Sequence, residues 1–135
     1  MTLPQFDPRE VPVTAVDVHL PPLLGAVMQP EALRQRFVSP PVWTPEVLAE
    51  KKFMNREPVH AAVLMPIVMR REPTVLLTLR TPHLSTHSGQ IAFPGGKLDP
   101  SDADVVAAAL REAQEEVGLA SEFVEVLGQL PVYVT

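Results

Sequence analysis

The stretch that most constrains the fold covers residues 89–119, with the sequence GQIAFPGGKLDPSDADVVAAALREAQEEVGL. Apolar residues predict a short strand over 90–93, and the paired glycines at 95–96 predict a turn because glycine adopts backbone conformations barred to other residues. Apolar residues then recur at helical spacing, which predicts a helix over 102–117. The order strand, turn and helix indicates an α/β or α+β domain.

Both ends of the predicted helix carry sequence signals. Ser101 is the expected N-cap, with Asp104 reaching back to complete a capping box. Gly118 is the expected stop, because a glycine often follows the last helical residue. One face of this helix should be buried, and its apolar stripe comprises Val106, Ala109, Leu110, Ala113 and Val117.

Three glutamates lie beside this stripe. Because each helical residue advances about 100°, Glu115 lies about 60° to one side of Glu112 and Glu116 about 40° to the other. Like charges four residues apart repel by a few tenths of a kcal/mol when exposed. A carboxylate cluster at the edge of a buried face therefore indicates that a divalent cation lies against it.

Composition narrows the possible classes of protein. The chain has 135 residues, enough for one domain, and its net charge of −5 argues against a nucleic-acid partner. The absence of cysteine excludes a thiolate nucleophile and a zinc–thiolate site. The N-terminus does not resemble a secretory signal, and the apolar run near 61–69 is too short to span a bilayer. We therefore expect a cytoplasmic protein without a membrane partner.

The first 58 residues hold ten of the sixteen prolines. We expect them to form an arm with one or two short helices, packed on the same domain as the rest of the chain. One helix is predicted over 30–37, with proline in its first turn, and another over 44–53, with Thr44 as its cap.

Residues 59–135 carry the strand patterns. The runs 59–69 and 74–80 are rich in apolar and β-branched residues, and the polar segment 70–73 between them predicts an antiparallel hairpin. Further strands are predicted over 123–127 and 132–134.

The run 111–119, REAQEEVGL, matches the R-E-U-x-E-E-x-G-U core of the Nudix box, so the chain resembles the Nudix hydrolase family. Arg111 is four residues before Glu115 and can pair with its carboxylate. The full box also has a glutamate six residues after a glycine. Asp102 stands at that spacing from Gly96, and Asp99 or Asp104 could serve instead.

A second resemblance lies upstream. The residues LLTLR at 76–80, Gly89 and FPGG at 93–96 are similar to the signature of the coenzyme A diphosphatase branch of that family. Two positions differ, because Thr81 replaces the usual serine or alanine and Ser85 the usual arginine.

The resemblance implies a Nudix-like α/β/α sandwich around a mixed sheet, with the box at about 96–119. The family usually has further strands and a helix after the box, so its C-terminal part is expected to be missing from these residues. The implied cofactor is Mg²⁺ or Mn²⁺. The implied metal ligands are Glu112, Glu115, Glu116 and the Gly96 carbonyl. The implied catalytic residues are the same glutamates and Arg111. The residues expected near the substrate are Arg80, Gly89, Gln90 and Gly95.

The implied reaction is hydrolysis of coenzyme A or acyl-coenzyme A to 3′,5′-ADP and 4′-phosphopantetheine or its acyl form. Two alternatives stay open. One is a Nudix hydrolase acting on another nucleoside diphosphate derivative, and the other is a Nudix-like domain that binds a nucleotide or protein without turnover. A homodimer is also left open.

Overall fold

The computed structural model describes residues 10, 12–16, 18–22, 24–40, 42, 57–81 and 89–134. The helix predicted over 44–53 lies outside the described residues, and so does Ser85.

Two α-helices and six short strands make up a mixed α/β fold, as the sequence predicts. The helices are α1 (Pro30–Val38) and α2 (Val105–Val117). The strands are β1 (Ala61–Val63), β2 (Ile67–Val68), β3 (Thr74–Val75), β4 (Thr78–Leu79), β5 (Ile91–Ala92) and β6 (Gly95–Lys97). Two 3-10 helices, Gly25–Met28 and Ser121–Phe123, complete the regular structure of the described residues.

The predicted hairpin is confirmed next to its turn, whereas the outer parts of the two predicted strands, β1 and β4, pair with β6 and β5 instead. Strands β2 and β3 pair antiparallel, with Ile67 opposite Val75 and Val68 opposite Thr74. A hydrogen bond of 3.1 Å from the Leu76 N–H to the Pro66 carbonyl extends this pairing. Strand β4 then pairs antiparallel with β5. This pairing places β5, the strand just before the glycine pair, beside β4.

The glycine pair does not form the predicted turn. Gly95 and Gly96 begin β6, which pairs antiparallel with β1 so that Ala62 lies opposite Gly96. The bend falls at Pro94, whose side chain is fully buried. Local sequence could not show this, because glycine is a poor strand former and β6 is specified by pairing with a distant strand.

The start of α2 also differs from the prediction. The helix begins at Val105, and its N-cap is Asp104, whose Oδ1 accepts a hydrogen bond of 2.8 Å from the Ala107 N–H. Ser101 instead donates its N–H and its hydroxyl to Asp99 Oδ1. Serine and aspartate are both good caps, and the turn that joins Asp99 to Ser101 leaves Asp104 as the cap of the helix.

Helix α2 packs against β6 and β1 through small residues. Its buried residues are Ala108, Ala109 and Ala113. The predicted stripe is therefore correct at Ala109 and Ala113 but wrong at Val117, which is exposed. Alanine on the helix faces alanine and glycine on the strands, which allows the two backbones to approach closely.

Exposed apolar side chains alternate along the segment that contains β1 and β2. Val63, Met65, Ile67 and Met69 are all exposed, whereas the residues between them are partly buried. This period of two is typical of extended chain with two distinct faces.

The segment after α2 corrects another prediction. Residues 121–123 form a 3-10 helix, and no strand is assigned over 124–127 in the part of the chain that the structure describes. Val124 nevertheless has the extended dihedral angles that β-branched residues favour. In the predicted strand at 132–134, Val134 alone forms an isolated bridge.

The predicted helix at 30–37 is confirmed as α1, with Pro30 in its first turn. Neither this helix nor any other described helix combines the length and apolarity needed to cross a membrane.

Gly118 ends α2 as predicted. Its φ of 70° and ψ of 18° are left-handed, and its N–H donates to the carbonyls of Ala113 and Gln114. A Cβ at this position would meet no atom within 4 Å, so there is room for a side chain. Glycine is favoured here because of the left-handed backbone conformation.

We expect Gly118→Val to lower the free energy of unfolding by about 1–2 kcal/mol, because L-residues disfavour left-handed backbone. Gly118→Asn is the control, since asparagine tolerates this conformation better. Urea unfolding followed by circular dichroism measures both variants. Equal stability of the valine variant and the wild type would contradict the assigned role of the glycine.

Candidate functional site

The carboxylate of Glu112 lies directly against Gly96. A Cβ built on Gly96 would be 2.5 Å from each of the two Glu112 carboxylate oxygens. Only a residue without a side chain can occupy this point of β6 while Glu112 keeps its position. The position of the Glu112 side chain on the helix therefore depends on glycine at position 96 of the strand.

Glu116, one turn further along α2, contacts the neighbouring glycine. Its Oε2 accepts a hydrogen bond of 3.1 Å from the Gly95 N–H. Glu112 and Glu116 are thus both directed to the glycine pair of β6, on the same face of the helix. Spacing in the sequence predicts the shared face, and the structure adds the strand that it faces.

Arg111 connects the glutamates to the loop before α2. Its Nη1 donates to Glu112 Oε1 at 2.9 Å and to Glu115 Oε1 at 3.3 Å. Its Nε and Nη2 each donate to one oxygen of Asp102 at 3.0 Å, and Nη2 also donates to the Lys97 carbonyl at 3.2 Å. These acceptors, with Asp102 first, raise the pKa of Arg111, which stays cationic.

Asp102 is the less exposed member of its pair with this arginine. Its side chain is only 5% exposed, and Oδ2 also accepts a hydrogen bond of 2.8 Å from the Asp99 N–H. The hydrogen bonds from Arg111 are the main cause that lowers the pKa of Asp102, and the Asp99 N–H adds to it. A bidentate arginine–carboxylate pair of this kind fixes the direction of both groups.

The structure separates the three aspartates that the sequence left as alternatives. Asp102 pairs with Arg111, and Asp104 caps α2. Asp99 accepts hydrogen bonds from Ser101, and the Ser101 hydroxyl is the main cause that lowers the pKa of Asp99. Of the three, Asp102 is therefore the one whose carboxylate is paired with Arg111.

Backbone pairing brings together three residues predicted near a substrate. The Arg80 N–H donates to the Gln90 carbonyl at 2.9 Å, and the Gly89 N–H donates to the Arg80 carbonyl at 3.1 Å. The Arg80 Nε is buried and has no hydrogen-bond partner within the described residues. An arginine with an unused donor is suited to meet an anion.

The donor set is suited to a hard divalent cation, because carboxylate and carbonyl oxygens are the ligands such ions prefer. The three glutamates are not gathered at one point, however. Glu115 is 60% exposed and directed to Arg111, and the described residues contain no group of three or more acidic or histidine side chains able to hold a metal. Glu112 and Glu116 both reach the glycine pair, and Glu112 and Glu115 share Arg111 Nη1.

Comparison with known sequences identifies the class of protein. A sequence model of the NUDIX domain matches residues 58–135, which is more than half of the chain. The chain therefore belongs to the NUDIX domain family.

Its relatives are similar in the same region. A protein of Yersinia enterocolitica (serotype O:8 / biotype 1B) named uncharacterized Nudix hydrolase NudL is 62% identical over 71 residues, 53% of this chain and 36% of that protein. The protein of the same name from Shigella flexneri serotype 5b is 58% identical over 81 residues, 58% of this chain and 42% of that protein. The one from Yersinia pestis (strain Pestoides F) is 51% identical over 84 residues, 62% of this chain and 42% of that protein. The chain thus spans less than half the length of these relatives.

Sequence reasoning missed three partners of Arg111, namely Asp102, Glu112 and the Lys97 carbonyl. It paired the arginine with Glu115, whereas the shorter contacts go to Asp102 and Glu112. The spacing of Asp102 from Gly96 was the available signal for the first. The contact with the Lys97 carbonyl could not have been predicted, because every residue has a backbone oxygen whatever its type.

The two glycines of β6 should respond differently to alanine. In Gly96→Ala the new Cβ meets the end of a flexible side chain, so we expect the midpoint of thermal unfolding to change by about 2 °C or less while the Glu112 carboxylate moves. In Gly95→Ala the Cβ meets the Ala62 carbonyl and lies 2.7 Å from the Val63 Cα, so the midpoint should fall by about 5 °C or more. Calorimetry and the carboxyl ¹³C shift of Glu112 test this contrast, and a larger loss in Gly96→Ala would refute it.

Asp102 should contribute stability that disappears in acid. The pKa of Asp102 in the folded chain lies below the ordinary 3.8. Between these two pKa values the unfolded chain binds more protons than the folded chain, so stability rises with pH there. We expect Asp102→Asn to unfold at a lower temperature than the wild type near pH 7. The difference should shrink as pH falls below 3.8 through the lowered pKa. Thermal melts across this range measure it, and a difference independent of pH would rule out the ionised pair as its source.

Proposed function

We propose that this chain carries the metal-dependent site of a hydrolase that cleaves a diphosphate bond. The observation that carries the proposal is the placement of Glu112 and Glu116 on the glycine pair of β6, with Arg111 bound beside them. Membership of the NUDIX domain family and similarity to proteins named Nudix hydrolase support it. Metal dependence is general among Nudix hydrolases, and we propose Mg²⁺ or Mn²⁺ here because the donors are oxygens.

The proposed ligands are Glu112, Glu116 and the Gly96 carbonyl, with Glu115 joining from the Arg111 side. When bound, the metal would neutralise diphosphate charge and make water a better nucleophile. The geometry supports Glu112 and Glu116 more strongly than Glu115, because the first two already lie at the glycine strand.

The chain's own residues hold the carboxylates in place before any ligand binds. The Gly95 N–H orients Glu116, and Arg111 orients Glu112. Asp102 in turn holds Arg111 from the opposite side with two hydrogen bonds. Such support restricts the rotamers of the ligands and so lowers the entropy cost of assembling the site. Arg111 thus acts here by positioning the glutamates.

We propose coenzyme A or acyl-coenzyme A as the substrate, with 3′,5′-ADP and 4′-phosphopantetheine or its acyl form as products. The runs LLTLR and FPGG support this choice, and so does Arg80, whose buried Nε has no partner in the described part of the chain. In this proposal Arg80 meets a substrate phosphate, while Gly89, Gln90 and Gly95 shape the approach to it. The proposal places the protein in the cytoplasm with a small-molecule partner, and leaves a homodimer open.

Two observations keep alternatives in view. Ser85 and Thr81 depart from the coenzyme A signature, which favours another nucleoside diphosphate derivative as substrate. Asp102, which stands where the full box has a glutamate, favours a domain that binds a nucleotide or a protein without turnover.

The direct test is incubation with coenzyme A and either Mg²⁺ or Mn²⁺, followed by mass spectrometry of the products. We expect 3′,5′-ADP and 4′-phosphopantetheine, and no products when the metal is chelated. Cleavage of ADP-ribose or a dinucleoside polyphosphate but not of coenzyme A would support the first alternative. Metal-dependent binding of coenzyme A without any cleavage would support the second.

Glu116→Gln should lower kcat by about a hundredfold or more, because it removes a charge from the proposed metal site while leaving the helix intact. Glu122→Gln makes the same chemical change at an exposed position after the helix and should leave kcat unchanged. Steady-state kinetics with Mg²⁺ and circular dichroism of both variants provide the comparison. Full activity of Glu116→Gln would show that the metal site is elsewhere.

A further inference from the structure

Helix α1 lies outside the part of the chain that matches the NUDIX domain, which begins at residue 58. It has nine residues, and none of them is buried. Isolated helices shorter than about 12 residues are marginal in water, so α1 needs contacts outside itself to stay helical. Such contacts come from the 3-10 helix Gly25–Met28 just before it and, across the chain, from residues 124–128, the segment that follows Ser121–Phe123.

An ion pair makes the first contact. Arg34 Nε and Nη2 donate to the two oxygens of Glu125, each at 2.7 Å, across 91 residues of sequence. Arg34 also contacts Glu31 on its own helix at 3.1 Å. The hydrogen bonds from Arg34 lower the pKa of Glu125, so the carboxylate stays charged. Both side chains remain open to solvent, with exposed fractions of 43% and 58%.

An aromatic ring makes the second contact. The Phe37 ring lies over Gly128, and a Cβ built on that glycine would meet Cδ1 and lie 3.2 Å from Cε1. Any side chain at position 128 would therefore displace the ring. Arg34 and Phe37 are three residues apart, as are Glu125 and Gly128, so the contacts form in register along one helix face.

We propose that α1 is a detachable strap, docked on residues 124–128 by Arg34 with Glu125 and by Phe37 with Gly128, and helical only while docked. An exposed ion pair contributes little and is screened by salt, so the docked state is opened at a small cost. The domain core lies elsewhere, at Ala108, Ala109 and Ala113 of α2, so opening the strap leaves it intact. The docking site, residues 124–128, follows the glutamate-bearing helix α2 in the chain. The strap therefore holds this segment in a way that depends on salt concentration.

Hydrogen exchange of the full chain, read by mass spectrometry on peptides from α1 and α2, tests the first contact. Arg34→Gln should speed exchange of α1 amides about two- to fivefold at low salt, and raising the salt should remove most of this difference. Arg36→Gln removes the same charge from the same helix and should leave exchange close to that of the wild type. The exchange of α2 amides should stay unchanged in all three proteins.

Two further variants make the test specific. The charge exchange Arg34→Glu with Glu125→Arg should restore protection of α1 relative to Arg34→Glu alone. Gly128→Ala should speed exchange of α1 amides at low and high salt alike, because it acts through the ring.

Unchanged α1 exchange in both Arg34→Gln and Gly128→Ala would overturn the proposal. Loss of α2 protection in step with that of α1 would overturn it as well, since α1 would then be part of the cooperative core.

Discussion

The guanidinium of Arg111 is the group on which the site depends. It is bound on one side by both oxygens of Asp102 and on another by Glu112, and it also reaches the Lys97 carbonyl. Through these contacts one side chain joins the loop before α2, the helix itself and the end of β6. Lysine could not replace it, because a single ammonium group cannot meet a flat carboxylate and two other acceptors in this arrangement.

A second requirement is the close approach of α2 to β6. The helix presents Ala109 and Ala113, and the strand presents Gly95 and Gly96. Small residues on both sides bring the carboxylates of the helix to the strand backbone, where the Gly95 N–H can reach Glu116. The packing of the fold and the arrangement of the site therefore have the same cause.

Local signals in the sequence predicted the parts of the fold that local forces decide. The end of α2 at Gly118, the hairpin of β2 and β3, and the shared face of Glu112 and Glu116 follow from residue type and spacing alone. The fold class and the family membership were also predicted correctly.

Features that depend on distant parts of the chain were not predicted. The glycine pair was expected to form a turn because glycine adopts conformations barred to other residues. Its strand partner, β1, is more than 30 residues away in sequence, so local sequence could not reveal the pairing. The choice of Asp104 over Ser101 as helix cap depends on how the loop folds around Asp99. The pairing of Arg111 with Asp102 depends on the same loop, which residue spacing does not define.

The alternation of exposed apolar residues at Val63, Met65, Ile67 and Met69 has a consequence for the molecule in solution. Extended chain that shows a row of apolar side chains to water favours association with similar segments. Self-association through this row would be driven by removal of apolar surface from water, and it would therefore strengthen on warming from low temperature. Association at high concentration would thus be governed by this apolar row and not by the charged helix α2.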